Sequence, residues 1–177
     1  MPSPDVRGIG RVRRARTPDE VATVRGLFEE YGRSLGVDLS FEGFPEETRS
    51  LPGVYAPPRG DLLLATWDDV PAGCVGIRPL SPEIVEMKRL YVRAGFRGRG
   101  LGWTLARRAI RRAGELRYRS LRLDTLPSMA TAIVLYRSLG FVEIAPYREH
   151  PVAGTRFFAR DLVRPVAPDD ARRGTTK

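Results

Sequence analysis

Cysteine is almost missing from this chain of 177 residues, and with Cys74 as its single representative no intrachain disulfide can form. Cys74 stands in an apolar stretch, Val70 to Ile77, the setting of a buried thiol rather than of a nucleophile. No uninterrupted apolar run approaches the roughly 18 residues needed to cross a bilayer. The start, Met1-Pro-Ser-Pro-Asp5, lacks the charged-then-apolar layout of a signal peptide, so a cytoplasmic protein with no membrane partner is expected. Acidic residues are missing from one place in particular. Between Lys88 and Arg122 twelve Lys or Arg residues face one acid, Glu115, which concentrates the net charge of +9 there and leaves the rest of the chain close to neutral. A positive segment of this kind fits a polyanionic partner, which is nucleic acid, an anionic membrane or a phosphorylated cofactor, unless it is a solvated helix face.

What is present is enough apolar content, 42%, to bury well over half of the unfolded surface in one α/β-sized domain. That domain is expected over 11–163, between a flexible N-terminus at 1–10 and a flexible tail at 164–177 rich in proline and charge. Thr17-Pro18-Asp19-Glu20 carries a capping box and predicts a helix from Pro18 to Leu35. A first strand is read over Gly8 to Arg16, and a short helical piece over Pro45 to Leu51. Asp61 to Trp67 and Gly73 to Ile77 read as two strands of a hairpin, turned by Asp68 to Gly73. In the next strand, Ile84 to Val92, the apolar positions shift from odd (Val85, Met87) to even (Leu90, Val92), a slip that predicts a β-bulge near Lys88 and Arg89. A helix over Gly100 to Leu116, a strand over Ser120 to Asp124, a helix over Met129 to Leu139 closed by Gly140, and strands over Phe141 to Ile144 and Thr155 to Leu162 complete the reading.

The strand ending at Val92 and the helix from Gly100 enclose Gly98-x-Gly100-x-Gly102. Glycines let a ligand approach the backbone, and the first N–H groups of a helix lack internal partners, so this junction is an anion site. A Walker loop would need Gly-Lys-Ser/Thr, which is absent, and a Rossmann fingerprint would need glycine where Trp103 stands. Asp124, at the end of the following strand, keeps a dinucleotide reading open through its offset; with Thr125 it is read either as touching substrate or as starting the turn before Pro127, the turn being preferred.

The block from Leu90 to Gly102 resembles the coenzyme A-binding motif of the GCN5-related N-acetyltransferases (GNAT), Gln/Arg-x-x-Gly-x-Gly/Ala, with Arg97, Gly100 and Gly102 in the matching places. A second block, Ala132 to Phe141 (AIVLYRSLGF), resembles the family's downstream helix and turn, and with its flanks the resemblance covers roughly Arg11 to Leu162. Ala94 replaces a common proline, and Met129 a common asparagine. The resemblance implies a mixed α/β fold with a mainly antiparallel sheet flanked by helices, and acetyl-CoA as acyl donor. Its pyrophosphate would rest on Arg97, Gly98, Arg99, Gly100, Leu101 and Gly102. Its pantetheine arm would lie along Leu90, Tyr91 and Val92 at an open edge between the fourth and fifth strands.

Acyl transfer to an amine needs a proton for the departing thiolate and a neutral nucleophile. The resemblance puts Tyr136 in the place of the general acid, with a core aromatic as the other reading, and Glu86 in the place of the base, with an ion pair to Lys88 or Arg89 as the other. His150, the only histidine, invites a general-base reading by its type alone, but its loop setting reads better as lining the substrate mouth or as simply exposed. Arg107, Arg108, Arg111 and Arg112 are placed either near the adenosine phosphates or on a solvated face. The expected function is N-acetyl transfer to a primary amine of a small molecule or peptide, without covalent enzyme intermediate or metal. Homodimer formation stays open. The competing functions are an acyl-CoA-binding regulatory module, a nucleic-acid-binding domain using 88–122, and, third, a dinucleotide-dependent enzyme.

Overall fold

The computed structural model describes residues 8–162. The expected flexible segments, 1–10 and 164–177, lie outside these residues except for Gly8 to Gly10, and Gly10 opens the first strand. The chain runs β1 (Gly10–Arg14), α1 (Pro18–Ser34), α2 (Phe44–Arg49), β2 (Asp61–Trp67), β3 (Val70–Pro79) and β4 (Ile84–Val92), then α3 (Leu101–Glu115), β5 (Ser120–Thr125), α4 (Ala130–Ser138), β6 (Val142–Ile144) and β7 (Arg156–Asp161). One seven-stranded sheet has the order β1-β2-β3-β4-β5-β7-β6 and is antiparallel except between β4 and β5. This is the mixed, mainly antiparallel α/β fold expected.

Both faces of the sheet are covered, which explains why β2 (DLLLATW) is apolar without alternation. Leu63 and Ala65 pack toward Leu105, Ala109 and Ala113 of α3. Leu62 and Leu64 pack on the opposite side with Val24, Leu27 and Phe28 of α1, where Cys74 is fully buried. The β2–β3 turn is tighter than the sequence predicts. Asp68 and Asp69, both at positive φ (48° and 63°), make the reversal alone, and β3 already begins at Val70, opposite Trp67. Two residues of that conformation match the twist of the strands they join, so the remaining predicted turn residues are free to pair.

Helix α1 begins as its sequence dictates. Thr17 Oγ1 accepts from the Glu20 N–H at 3.2 Å, and the Glu20 carboxylate accepts from the Thr17 N–H at 3.1 Å.

The expected bulge is present in β4. Cys74 faces Tyr91 while Gly76 faces Lys88, which leaves Arg89 and Leu90 both opposite Val75, and Arg89 takes a positive φ of 59°. The extra residue brings Val85, Met87, Leu90 and Val92 to the α3 side despite their different parity. Pairing of β4 with β5 stops at Glu86, opposite Arg122. From Met87 onward the β5 side of the strand is open.

Candidate active site

The Arg93 N–H donates to Ala72 O on β3 at 2.9 Å. Strand geometry then turns the N–H and C=O of Val92, and of Leu90 two residues earlier, to the open side. The Val92 carbonyl there accepts a hydrogen bond from Arg97 Nε at 2.9 Å. Beyond it, Gly98 and Gly100 sit at φ 75° and 79°, a conformation that disfavours any side chain. Gly100 caps α3 without a side-chain hydrogen bond, and the first turn of that helix holds no acidic residue. Its leading N–H groups therefore point outward unserved. Helix α4 likewise starts with no side-chain cap at Met129. Both helix starts open into one groove of about 690 Å³, which Leu90, Tyr91, Val92, Arg97, Gly98, Gly100, Leu101 and Gly102 line from one side and Ser128 to Ala132 with Leu135 from the other.

The structure thus brings together the two sequence blocks, Leu90 to Gly102 and Ala132 to Phe141, which face each other across this groove. Of the proposed donor-binding residues, Arg99 alone is turned away, with its guanidinium over the rings of Trp67 at 4.8 Å and Phe96 at 5.6 Å. Gly102 has ordinary room for a Cβ, with Leu135 and Val92 carbons at 3.9 Å, so nothing in the chain itself demands a glycine there. Its smallness serves whatever enters the groove.

Next to the groove lies a polar recess, formed where β4 and β5 stop pairing. It is lined by Tyr31, Met87, Lys88, Arg89, Leu90, Asp124, Thr125, Met129 and Tyr136, and Tyr31, Leu90 and Met129 line the groove as well. Tyr136 is buried against Phe141 and Phe158, at ring distances of 5.8 and 6.4 Å. Burial above all, with Tyr31 and Asp124 adding, pushes its phenol well above the usual range, so it stays protonated and has a proton to give. Tyr31 is raised to about 12 by burial, against the opposing charge of Arg89.

Lys88 and Arg89 are each only 4% exposed. Such burial is tolerated only with counter-charges. Lys88 Nζ meets Asp124 Oδ1 at 3.0 Å and Glu42 Oε1 at 3.3 Å, while Arg89 bonds Glu42 at 2.7 Å and Glu47 at 3.1 and 2.9 Å. Burial alone would raise the Glu42 carboxyl, but Lys88 and Arg89 hold it down at about 2. Glu42, Asp124 and His150 stand close enough to be considered as metal ligands. The Lys88 ammonium already bridges the two carboxylates, however, and a divalent cation would be repelled by it.

Glu86 does not make the ion pair to Lys88 or Arg89 that was its alternative reading. Its fully buried carboxylate pairs with Arg78 Nε at 3.0 Å and with Arg148, and accepts from the Tyr147 hydroxyl at 2.7 Å, not from Lys88 or Arg89. Strand alternation is the reason: Glu86 and Lys88 share a face, but Arg78 lies directly opposite Glu86 on β3. Glu86 lines neither the groove nor the recess. Of the α3 arginines, none lines the groove. Arg112 joins Arg16 on the buried Asp61 carboxylate, Arg111 pairs with Glu115, Arg108 donates to Val12 O, and Arg107 covers the Trp103 ring.

The residues that sequence reading missed are Tyr31, Glu42 and the Lys88-Arg89 pair. One signal was available. Two adjacent cations inside an apolar strand (MKRLYV) must be buried against acids supplied from elsewhere.

A strand that frees its own backbone beside two unserved helix starts defines a protein that holds an extended anionic ligand along a sheet edge. The acetyltransferase (GNAT) family model matches residues 24–141. An N-acetyltransferase of Schizosaccharomyces pombe with no assigned substrate is 36% identical, covering 83% of this chain and 91% of the relative. Another, of Dictyostelium discoideum, is 32% identical, covering 75% of this chain and 90% of the relative. The protein yncA of Salmonella typhimurium, solved with its cofactor acetyl-CoA, shares the fold at a TM-score of 0.64 and 20% identity, covering 91% and 98% of the two chains. The chain belongs to the GNAT family and is an acyltransferase of the N-acetyltransferase type. Among the described residues no helix is long and apolar enough to cross a membrane.

Proposed function

We propose that this protein transfers an acetyl group from acetyl-CoA directly to a primary amine held in the recess beside Tyr136. The single observation that carries the reading is the groove, in which the free side of β4 and the uncapped starts of α3 and α4 converge. The fit to the donor is chemical: N–H groups from Arg97 to Gly102 suit a pyrophosphate, and the exposed amide edge at Leu90 and Val92 suits the amides of a pantetheine arm, in the manner of an added strand. To take such an arm, the Val92 carbonyl exchanges its present partner, Arg97, for the ligand.

Bound there, acetyl-CoA supplies an activated acyl carbon, whose bond to sulfur breaks as the acceptor nitrogen bonds to it. A backbone N–H of the bulged segment at Arg89-Leu90 is placed to receive the charge that grows on the acyl oxygen. Tyr136, kept protonated by its burial, gives its proton to the leaving sulfur. The nitrogen loses one proton for the one that sulfur gains, so the transfer balances, and Tyr136 is reprotonated through the polar recess. Glu86, held between two guanidinium groups, acts by fixing Arg148 and Tyr147 rather than by taking that proton.

The test is Tyr136→Phe, which keeps the ring packing on Phe141 and Phe158. We expect kcat for thiol release to fall by about 100-fold, with acetyl-CoA affinity by calorimetry unchanged. An unaltered kcat removes Tyr136 from the acid role, and failure of the wild-type chain to bind acetyl-CoA overturns the reading of the groove.

A further inference from the structure

The recess does not end at Tyr136. A second narrow pocket beside it, whose lining includes Glu42, Leu126, His150 and Thr155, shares Tyr31, Lys88, Arg89, Asp124 and Thr125 with it. That pocket shares His150 and Thr155 with an outer basin of about 750 Å³. Groove, recess, neck and basin therefore share walls in series, and recess and neck hold about 20 Å³ each, room for one small polar group such as an amine nitrogen between the two larger spaces.

The neck holds two buried polar atoms without a hydrogen-bond partner, Asp124 Oδ2 and Thr125 Oγ1. The Asp124 side chain is 8% exposed and Thr125 5%. Oδ1 of Asp124 is taken by Lys88, and the closest cation to Oδ2 is Arg148 Nε at 3.9 Å, beyond hydrogen-bond range. A buried carboxylate oxygen without a donor is costly, so the arrangement is completed by a ligand that brings one. A neutral primary amine carries N–H donors of the kind these atoms lack, and it keeps the lone pair that attacks the acyl carbon.

The same walls are poor in what other amines need. A carboxylate on the amine-bearing carbon requires a cation with capacity to spare. Lys88 and Arg89 are engaged by Glu42, Glu47 and Asp124, and Arg148 by Glu86. Arg122, whose Nε is also without a partner, lies over the Tyr147 ring at 5.3 Å and lines neither neck nor basin. His150 is already engaged, with its Nδ1 accepting from the Val152 N–H at 3.2 Å and its Nε2 lying 3.6 Å from Glu42 Oε1. The basin itself is walled largely by Phe41, Pro146, Pro151, Val152, Ala153 and Phe157, with Glu149 its only acid and, as its one arginine, Arg148, which is held by Glu86 and lies over the Tyr147 ring at 4.9 Å.

We infer that the acceptor is a lipophilic primary amine with no carboxylate beside its nitrogen, received at the nitrogen by Asp124 and Thr125 and at its apolar body by the basin. This rests on the reading of the groove given above and specifies its acceptor. The neck favours a slender, unbranched link between the two ends, and the single exposed acid of the basin gives a second ammonium little to bind.

The experiment compares 2-phenylethylamine with phenylalanine, its counterpart bearing the carboxylate, and with spermidine, using the full chain. Thiol release should give 2-phenylethylamine a kcat/KM about tenfold or more above either competitor. Calorimetry with coenzyme A present should show it binding while phenylalanine does not. Asp124→Asn should raise the KM for 2-phenylethylamine about tenfold while acetyl-CoA binding holds. Because Asp124 also pairs with Lys88, Thr125→Val serves as a second variant whose smaller rise in KM must occur without a change in melting temperature. Preference for phenylalanine or spermidine overturns the inference, as does turnover of none of the three by a chain that binds acetyl-CoA. Absence of acetyl-CoA binding instead overturns the groove reading, and this inference falls with it.

Discussion

The starts of α1 and α3 lie in the same protein and solve the same problem in opposite ways. At α1 the sequence serves its own orphan N–H groups: Thr17 and Glu20 close a capping box, Pro18 removes one donor, and Asp19 and Glu20 face the positive end of the helix. At α3 none of this is present. Gly100 at φ 79° supplies no side-chain acceptor, and no acid stands in the first turn. One start is closed by its own sequence, and the other leaves its first N–H groups open to an anion.

The most forceful way to break that contrast is to give α3 what α1 already has. Gly102→Glu puts a carboxylate in the first turn, in a position with room for the Cβ. For the isolated helix this is an improvement of about 0.5–1 kcal/mol, through loss of a helical glycine and interaction with the dipole. For a pyrophosphate it is like charge in its seat. We expect acetyl-CoA affinity to fall by about 100-fold, ~2.8 kcal/mol, while the melting temperature holds or rises. Calorimetry and thermal unfolding read the two signs separately, and unchanged affinity would show that the anion sits elsewhere.

The converse change strips α1 of its cap. Thr17→Ala together with Glu20→Ala should cost about 1–2 kcal/mol of stability, a fall in melting temperature of about 3–6 °C. The KM for acetyl-CoA should stay within about twofold, since the two helix starts share no partner. A large rise in KM would mean that α1 shapes the groove directly, through Tyr31, and the division of labour would be less clean.

This contrast also marks what could be read in the sequence. Local rules show in the chain itself: the capping box, the glycines at positive φ, the phase slip in β4 and the apolar stripe of α3 each reflect contacts within a few residues, and each element was found within a residue or two of its place. The exception among local features, the β2–β3 turn, is a case in which two aspartates did what six residues were assigned to do. Glu86 was misread for a different reason. Its partners Arg78, Tyr147 and Arg148 come from another strand and a distant loop, and a carboxylate two residues from Lys88 looks as if it should pair with it. The neck is the least legible part, because Glu42, the Asp124-Thr125 pair and His150 come from three separate chain segments and meet only where β4 and β5 part. Long-range charge matching leaves no period in a sequence.

The subtlest difference between the two helix starts is in their response to acid. The Glu20 carboxyl is lowered from its ordinary 4.5 to about 2, chiefly by the Arg16 N–H, then by the Arg13 guanidinium and the Thr17 N–H. A depressed folded-state pKa gives stability that is complete above about pH 4.5 and is lost as the pH falls toward 2. Glu20→Gln keeps the capping geometry and removes the titration. Other carboxyls, Glu42 among them, titrate in the same window in both proteins, so the quantity to follow is the difference in urea midpoint between wild type and variant. That difference should be constant near neutrality and should shrink between pH 4.5 and 2 as Glu20 takes up its proton. The first turn of α3 holds no carboxylate to titrate. Parallel midpoints throughout the window would mean that the Glu20 charge contributes nothing beyond what the amide of glutamine supplies, and that the cap of α1 is purely a matter of hydrogen-bond geometry.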